Sequence, residues 1–164
     1  MTKNWAKIEG AKYAFSVEKI ELGTLEIVLN STDSKAIAKI GTAEFTIRRT
    51  GFWKSGIEIV NQKNEIIAKA YLEKWYSNSM ILEFKDSKYK LATRNNPLAE
   101  WAIIDGDTDL LAYGLNAGNG TVNLKITTAE NNKEYLLDFL LWYIFMPIAT
   151  ENAGDDLTFL LLVG

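Results

Sequence analysis

Tyr135-Leu136-Leu137-Asp138-Phe139-Leu140-Leu141-Trp142-Tyr143-Ile144-Phe145-Met146-Pro147-Ile148-Ala149 decides how this chain folds. Asp138 is the only charge among these 15 residues. A helix on the surface of a globular protein keeps a polar face, and one that is apolar all round has to be enclosed by protein or by lipid. Lipid would need ~20 apolar residues. This run is shorter, carries an acid, is followed by Glu151, Asp155 and Asp156, and has no positive flank. The expectation is a buried helix over about residues 133–148, not a transmembrane one. Asn131 or Asn132 is placed to cap its start, and Pro147 to kink or end it near Met146. Asp138 has two readings. The plainer one is a partly solvated residue at the rim, and the other is a buried functional acid.

What encloses the helix must come from the preceding 130 or so residues, and these read as strands. Met80, Leu82 and Phe84 alternate with Ser79, Glu83 and Lys85, and Val122, Leu124 and Ile126 alternate with Thr121, Asn123 and Lys125. This is the period-2 mark of half-buried strands. Turn residues punctuate the runs at Asn61–Asn64, Asp86-Ser87, Asn95-Asn96-Pro97, Asp105–Asp107 and Gly118–Gly120. The strands expected are 12–21, 24–30, 36–41, 44–49, 56–61, 65–73, 79–86, 88–94, 99–105, 109–116 and 120–128, with a further strand or helical turn in the apolar tail 157–163. The fold class is mainly β: an antiparallel meander closed into a ~12-stranded barrel around one hydrophobic C-terminal helix. A shift of 44 residues also overlays 45–88 on 89–128, with Phe45 on Tyr89, Ile57 on Trp101, Ile59 on Ile103, Ile66-Ile67-Ala68 on Leu110-Leu111-Ala112, and Met80 on Leu124. Two four-strand units are expected from this.

Composition limits the chemistry. The 164 residues suit one domain. The net charge is −3 and arginine occurs only at 48, 49 and 94, which lacks the basic footprint of a nucleic-acid binder. There is no cysteine and no histidine. Disulfides, thiol nucleophiles, imidazole bases and zinc sites with Cys or His ligands are thereby excluded. With no signal-peptide pattern at the N-terminus, the expected compartment is the cytoplasm. Asn30-Ser31-Thr32 and Asn119-Gly120-Thr121, which match the glycosylation acceptor, then read as turns. Asp105-Gly106-Asp107-Thr108-Asp109 begins like a calcium loop but has Leu110 where the loop needs glycine and Asn116 where it needs glutamate, so it too reads as a turn.

About eleven short strands followed by a helix apolar on all faces resembles the tubby-like C-terminal fold of the Tubby, LURP-one-related and phospholipid scramblase families. The resemblance is carried by Gly51-Phe52-Trp53 through Ile57-Glu58-Ile59-Val60-Asn61 and Glu65–Ala70, by a second copy over Trp101–Ala112, and by Tyr135–Ala149 as the threaded helix. It implies a filled barrel and, from the Tubby branch, contact with phosphoinositides through Lys and Arg side chains, for which Arg48, Arg49 and Lys54 are the candidates. Their plainer reading is solvated strand-end charge. The scramblase branch carries palmitoylated cysteines, which this chain lacks. LURP-one-related proteins contribute no settled chemistry.

Two aromatic pairs, Phe52-Trp53 and Trp75-Tyr76, lie near loops. They either close a barrel end or offer a stacking surface for a sugar or another ring. The candidate ligand-binding residues are therefore Arg48, Arg49, Trp53, Lys54 and Trp75, with no catalytic or metal-ligating residue and no cofactor. The function expected is a non-enzymatic binding or scaffold domain, whose partner is a lipid head group at the membrane periphery or another protein. Two alternatives remain. One is a lipocalin-like carrier of a small apolar ligand, whose helix would lie outside the barrel. The other is a carboxylate hydrolase, for which no pair of acids stands out.

Overall fold

The alternating runs resolve into twelve antiparallel strands: β1 (Lys3–Glu9), β2 (Lys12–Val17), β3 (Ile20–Ile27), β4 (Ala36–Ile40), β5 (Ala43–Thr50), β6 (Gly56–Asn61), β7 (Ile66–Leu72), β8 (Ser79–Phe84), β9 (Ser87–Asn95), β10 (Ala99–Asp105), β11 (Thr108–Gly118) and β12 (Thr121–Thr128). The computed structural model describes residues 1–28, 35–51, 53–95, 98–118 and 120–153. The sites Asn30–Thr32, Phe52, Asn96-Pro97, Asn119 and the tail 157–163 lie outside these residues. Each strand pairs with its sequence neighbours, so the sheet order is β1 to β12 without a crossover. The sheet curls into a nearly closed barrel. Among the described residues no ladder joins β1 to β12, and Lys3 Nζ reaches across the seam to Thr128 Oγ1 at 3.2 Å.

Inside runs α1 (Tyr135–Ala153). Eleven consecutive residues, Leu136 to Met146, are buried. Three helical turns hidden on every side can only lie within the barrel. Inward-facing Ala36 and Ala38 on β4, and Ala68 and Ala70 on β7, are small, which leaves room for the helix and its rings. Trp142 of α1 stacks on Trp5 of β1, with centroids 4.8 Å apart and planes 5° from parallel. Phe15 and Phe139 close on the same indole at 4.9 and 5.0 Å. No described helix is long and apolar enough to cross a membrane.

Asp138 is wholly buried, not at a solvated rim. Its carboxylate accepts from Lys3 Nζ at 3.1 and 2.9 Å and from the Tyr113 hydroxyl at 2.8 Å, and that hydroxyl accepts from Trp5 Nε1 at 2.8 Å. Burial pushes the Asp138 carboxyl above its usual range, and Lys3 and Tyr113 pull the other way. Asp138 also lies in the first helical turn, where the dipole favours a negative charge. Trp142 Nε1, by contrast, is buried with no partner.

Four sequence expectations are corrected. Residues 3–9 form a strand that the sequence hides, because Lys3 points inward while Ile8 is half exposed on the outside. The expected strand 12–21 is broken at Glu18 and Lys19, both in the left-handed region (φ 50° and 68°), where the chain turns into β3. The helix passes through Pro147, which is exposed, and continues to Ala153. A proline inside a helix costs about 3 kcal/mol, but the turn it strains, Tyr143–Met146, is held by burial of all four side chains, at about 1.5–3 kcal/mol for each large apolar one. Finally, Asn132 shapes the approach to the helix, accepting from the Glu134 amide at 3.1 Å, one residue before α1 begins.

The two four-strand stretches carry a ladder irregularity at matching positions. The β6–β7 ladder shifts register between Ile59 and Val60, and the β10–β11 ladder between Ile103 and Ile104, which are 44 residues on. The overlay is not gapless, however. Ile59 faces Ala68 while Ile103 faces Leu111, so Ala68 corresponds to Leu111 and not to Ala112. The β6–β7 connection is one residue longer, and with a side-chain period of two, that single residue changes which positions match. Asn61 organises this longer turn, its Oδ1 accepting from the Lys63 and Glu65 amides at 3.0 and 2.9 Å.

Because the strands alternate in direction, the connections sort to two ends. The strand-to-strand turns at 18–19, 41–42, 62–65, 85–86 and 106–107 are short and share the end where α1 enters. The three longest connections, 28–35, 51–55 and 73–78, lie at the end where it leaves, together with 10–11, 96–98 and 119–120. Asp105–Thr108 is one of the short turns, with Gly106 at φ 61°.

Two substitutions test this account. Asp138→Asn strands the Lys3 ammonium in the core and is expected to lower the unfolding free energy by about 3–5 kcal/mol, while Lys3→Met combined with Asp138→Leu costs well under half as much. Equilibrium denaturation of the three proteins checks the order. Lys19→Gly removes a left-handed side-chain penalty and should raise stability by about 0.5–1 kcal/mol, read as a higher midpoint in the same assay.

A cationic groove and an aromatic rim

The β4–β5–β6 face turns Thr46 and Arg48 outward, in line with Glu58 and Val60 of β6. Val60 alternates outward from Ile59, lies opposite Thr46, and is nearly buried. Thr46, Arg48 and Val60 floor an open groove of about 650 Å³ whose charged lining is Lys35, Arg48, Arg49 and Lys54 against Glu44. Three residues separated in the sequence by a strand end and a turn thus share one depression. Lys35, just before β4, joins them from a segment that the sequence did not single out.

Arg48 and Arg49 have partners in the fold, while Lys54 is exposed in a turn. Arg48 donates to Glu58 Oε2 through Nε at 3.3 Å and Nη2 at 3.1 Å. That partly exposed pair contributes at most about 1 kcal/mol, so it positions the guanidinium without committing it. Arg49 lies 5.6 Å from the ring centroid of Tyr143 on the central helix, a cation–π contact. Burial pushes the Tyr143 hydroxyl above its ordinary range, and Arg49 acts against that shift. Lys54 sits in a left-handed turn (φ 55°), its amide bonded to the Gly51 carbonyl at 3.1 Å. With Glu58 counted, four cations face two carboxylates here.

The aromatic candidates do not close the barrel end, because the helix already fills it. Trp53 is 83% exposed, Trp75 89% and Tyr76 62%. They stand on two neighbouring long connections, 51–55 and 73–78, at the end where α1 leaves. Trp75 and Tyr76 meet edge to face at 5.5 Å, and Lys74 Nζ lies 5.7 Å over the Tyr76 ring. A hydrogen bond from the Ser77 amide to the Lys74 carbonyl (2.9 Å), and another from the Lys74 amide to Ser77 Oγ (3.2 Å), close that loop. Trp75 does not line the groove. Tyr76, flagged in the sequence beside Trp75, stands in the same rim, and Lys74 joins it over the Tyr76 ring.

The third arginine is spoken for. Arg94 is forked between Glu100 and Asp109 on the outer face of β9–β11. Glu100 is nearly buried, directly opposite Gly114, where an added Cβ would come within 3.0 Å of the Glu100 side chain. Its two carboxylate partners neutralise this guanidinium, so Arg94 adds no excess positive charge to its face. Among the described residues no group of three or more acids is placed to hold a metal ion.

No family model, curated protein or solved structure matches the chain.

The Arg94 fork gives the outer cluster a pH dependence. Arg94 holds the Asp109 carboxyl below its ordinary value of 3.8. The unfolded chain therefore takes up a proton first as the pH falls, and the stability this pair contributes is present at neutral pH and lost in acid. Asp109→Asn should lower the denaturation midpoint at pH 7, and the gap between the two proteins should narrow as the pH falls below 3.8.

Proposed function

We propose that this chain is a non-enzymatic binding domain of tubby-like architecture, and that it takes an anionic, phosphate-bearing group in the groove lined by Lys35, Arg48, Arg49 and Lys54. The observation that carries this reading is the filled interior. A barrel whose axis is occupied by three buried helical turns has to recognise its partner on the outside. The groove is an outer depression whose lining carries Lys35, Arg48, Arg49 and Lys54 against Glu44. Its guanidinium groups suit phosphate oxygens because their planar donors pair with them two at a time. The absence of histidine and cysteine and the enclosure of Asp138 between Lys3 and Tyr113 support binding over catalysis.

A carrier of apolar ligands needs a hollow barrel, and the packing of Trp5, Phe139 and Trp142 along the axis weighs against it. Native mass spectrometry of the purified protein separates the two readings, since a stoichiometric co-purified lipid would establish a carrier. For the groove, titration of the isotope-labelled protein with inorganic pyrophosphate should move amide resonances of residues 46–54. Arg48→Gln with Lys54→Gln should weaken binding about tenfold, as loss of ~1.4 kcal/mol would. Pyrophosphate shifts that are absent, or that cluster elsewhere, would remove the groove from consideration.

A further inference from the structure

We infer that the seam between β1 and β12 is a strand-docking site, and that its occupant is the chain's own apolar segment 157–163, which enters as a further strand and closes the barrel. The groove on β4–β6 plays no part in this.

The seam has room for a strand. Paired strands lie about 4.8 Å apart, and two that enclose a third stand about twice that. The Cα atoms of β1 and β12 are more than 8 Å apart along nearly their whole length. Both edges are also set to pair. The Thr2 carbonyl accepts from the Glu18 amide on the β2 side, and the Ala129 amide donates to Leu110 on the β11 side. In an antiparallel ladder such residues alternate with ones whose N–H and C=O point the other way. Trp5 and Lys7 of β1, and Val122, Leu124 and Ile126 of β12, therefore turn theirs into the seam, where no described ladder takes them up. An open edge of this kind is what folded proteins cover.

Side chains register the same opening. Val122, Leu124 and Ile126 face the core but are only half-buried. Leu115 and Tyr113, directly opposite Leu124 and Ile126 on β11, are fully buried. The difference lies on the seam side, where Leu124 and Ile126 line a slot of about 310 Å³ with the first four residues. The Lys3 side chain spans the seam from within, bound to Asp138 and Thr128, and leaves the two edges clear.

Position and chemistry name the occupant. After α1 the chain continues through Gly154-Asp155-Asp156 into Leu157-Thr158-Phe159-Leu160-Leu161-Leu162-Val163, which carries no charge. From Ala153 to Leu157 the backbone spans up to about 14 Å, enough to cross the ~10 Å between packed layers and pass from the axis to the wall. Seven extended residues cover about 23 Å, close to the length of β12. Starting at the end where α1 leaves, the segment runs parallel to β12 and antiparallel to β1. Leu157, Phe159, Leu161 and Val163 share one face of an extended strand, which suits the inner side. Leu160 and Leu162 then fall on the outer side, where Ile8 of β1 is half exposed. Attachment to the helix gives this segment a high effective concentration that a free peptide lacks.

The test is amide hydrogen exchange on the full chain. Val122, Leu124 and Ile126 are expected to exchange as slowly as the closed ladders of β6–β9. Phe159→Asp with Leu161→Asp should speed their exchange about tenfold or more and leave the β6–β9 ladders unchanged. Because the chain has no cysteine, a second measurement pairs Ala6→Cys, on the outer face of β1, with Thr158→Cys, Leu160→Cys or Leu162→Cys in turn. At least one pair should oxidise to a disulfide within a single chain, which needs Cα atoms about 4.4–6.8 Å apart. This scan decides the matter if the two aspartates unfold the protein. Fast exchange at the three β12 positions in the unaltered chain overturns the inference, and so does slow exchange that the aspartates leave intact. Failure of all three cysteine pairs overturns it too. Disulfides that form only between chains would assign the seam to the tail of a second copy and overturn closure within one chain.

Discussion

The Asp138 carboxylate, the one charge on the enclosed turns of the helix, is held by Lys3 from the first strand and Tyr113 from the eleventh. A buried ion pair rarely adds net stability, because desolvation offsets most of the attraction. What it does here is fix position. The helix can slide or rotate only by separating two charges in a low-dielectric core, and an error of one residue would swing Asp138 away from both partners. Rotation and depth of the helix are thereby set, and with them the stacking of Trp142 on Trp5 and the reach of Arg49 to Tyr143. The same pair draws β1 to the core beside β12, across a seam that no described ladder closes.

A filled axis also divides the labour between the two ends. Where the helix enters, the strands are joined by turns short enough to need left-handed residues such as Glu18, Lys19, Lys85 and Asp86. Where it leaves lie the three longest connections, which carry the exposed rings and, of the groove's cations, Lys35 and Lys54. The mouth is already plugged, so residues there are released from covering the core. Aromatics that would line a hollow barrel are free to face outward.

Much of this architecture could be read before any coordinates. A helix without a polar face demands an enclosure, and period-2 runs supply one, so the barrel and its central helix followed from hydrophobicity alone. The failures are equally physical. β1 escaped notice because its inward positions mix Lys3 with Trp5, and a lysine does not look like core until its buried partner is known. The turn at Glu18-Lys19 uses residues with no turn preference. Asp138 looked like rim because local sequence cannot show a counter-charge 135 positions away. Of the candidate site, Arg48, Arg49 and Lys54 were visible as neighbours in sequence. Lys35 joined them only through the ladder between β4 and β5, and the exposure of Trp53 and Trp75 depended on what else fills the mouth.

A sheet in which every strand pairs only with its sequence neighbours has a consequence for how the molecule comes into being. Hairpins can zip one after another as the chain leaves the ribosome, each closing a small loop at little entropic cost. Yet the face that lines the barrel has no cover until the helix, which follows all twelve strands, has been synthesised. Through most of its production the chain carries a finished but naked sheet, with one side as apolar as a core and two open edges. Such an intermediate invites association with its own kind. Its yield in the cell should therefore be governed less by the stability of the finished barrel than by whatever shields that sheet in the interval before the helix arrives.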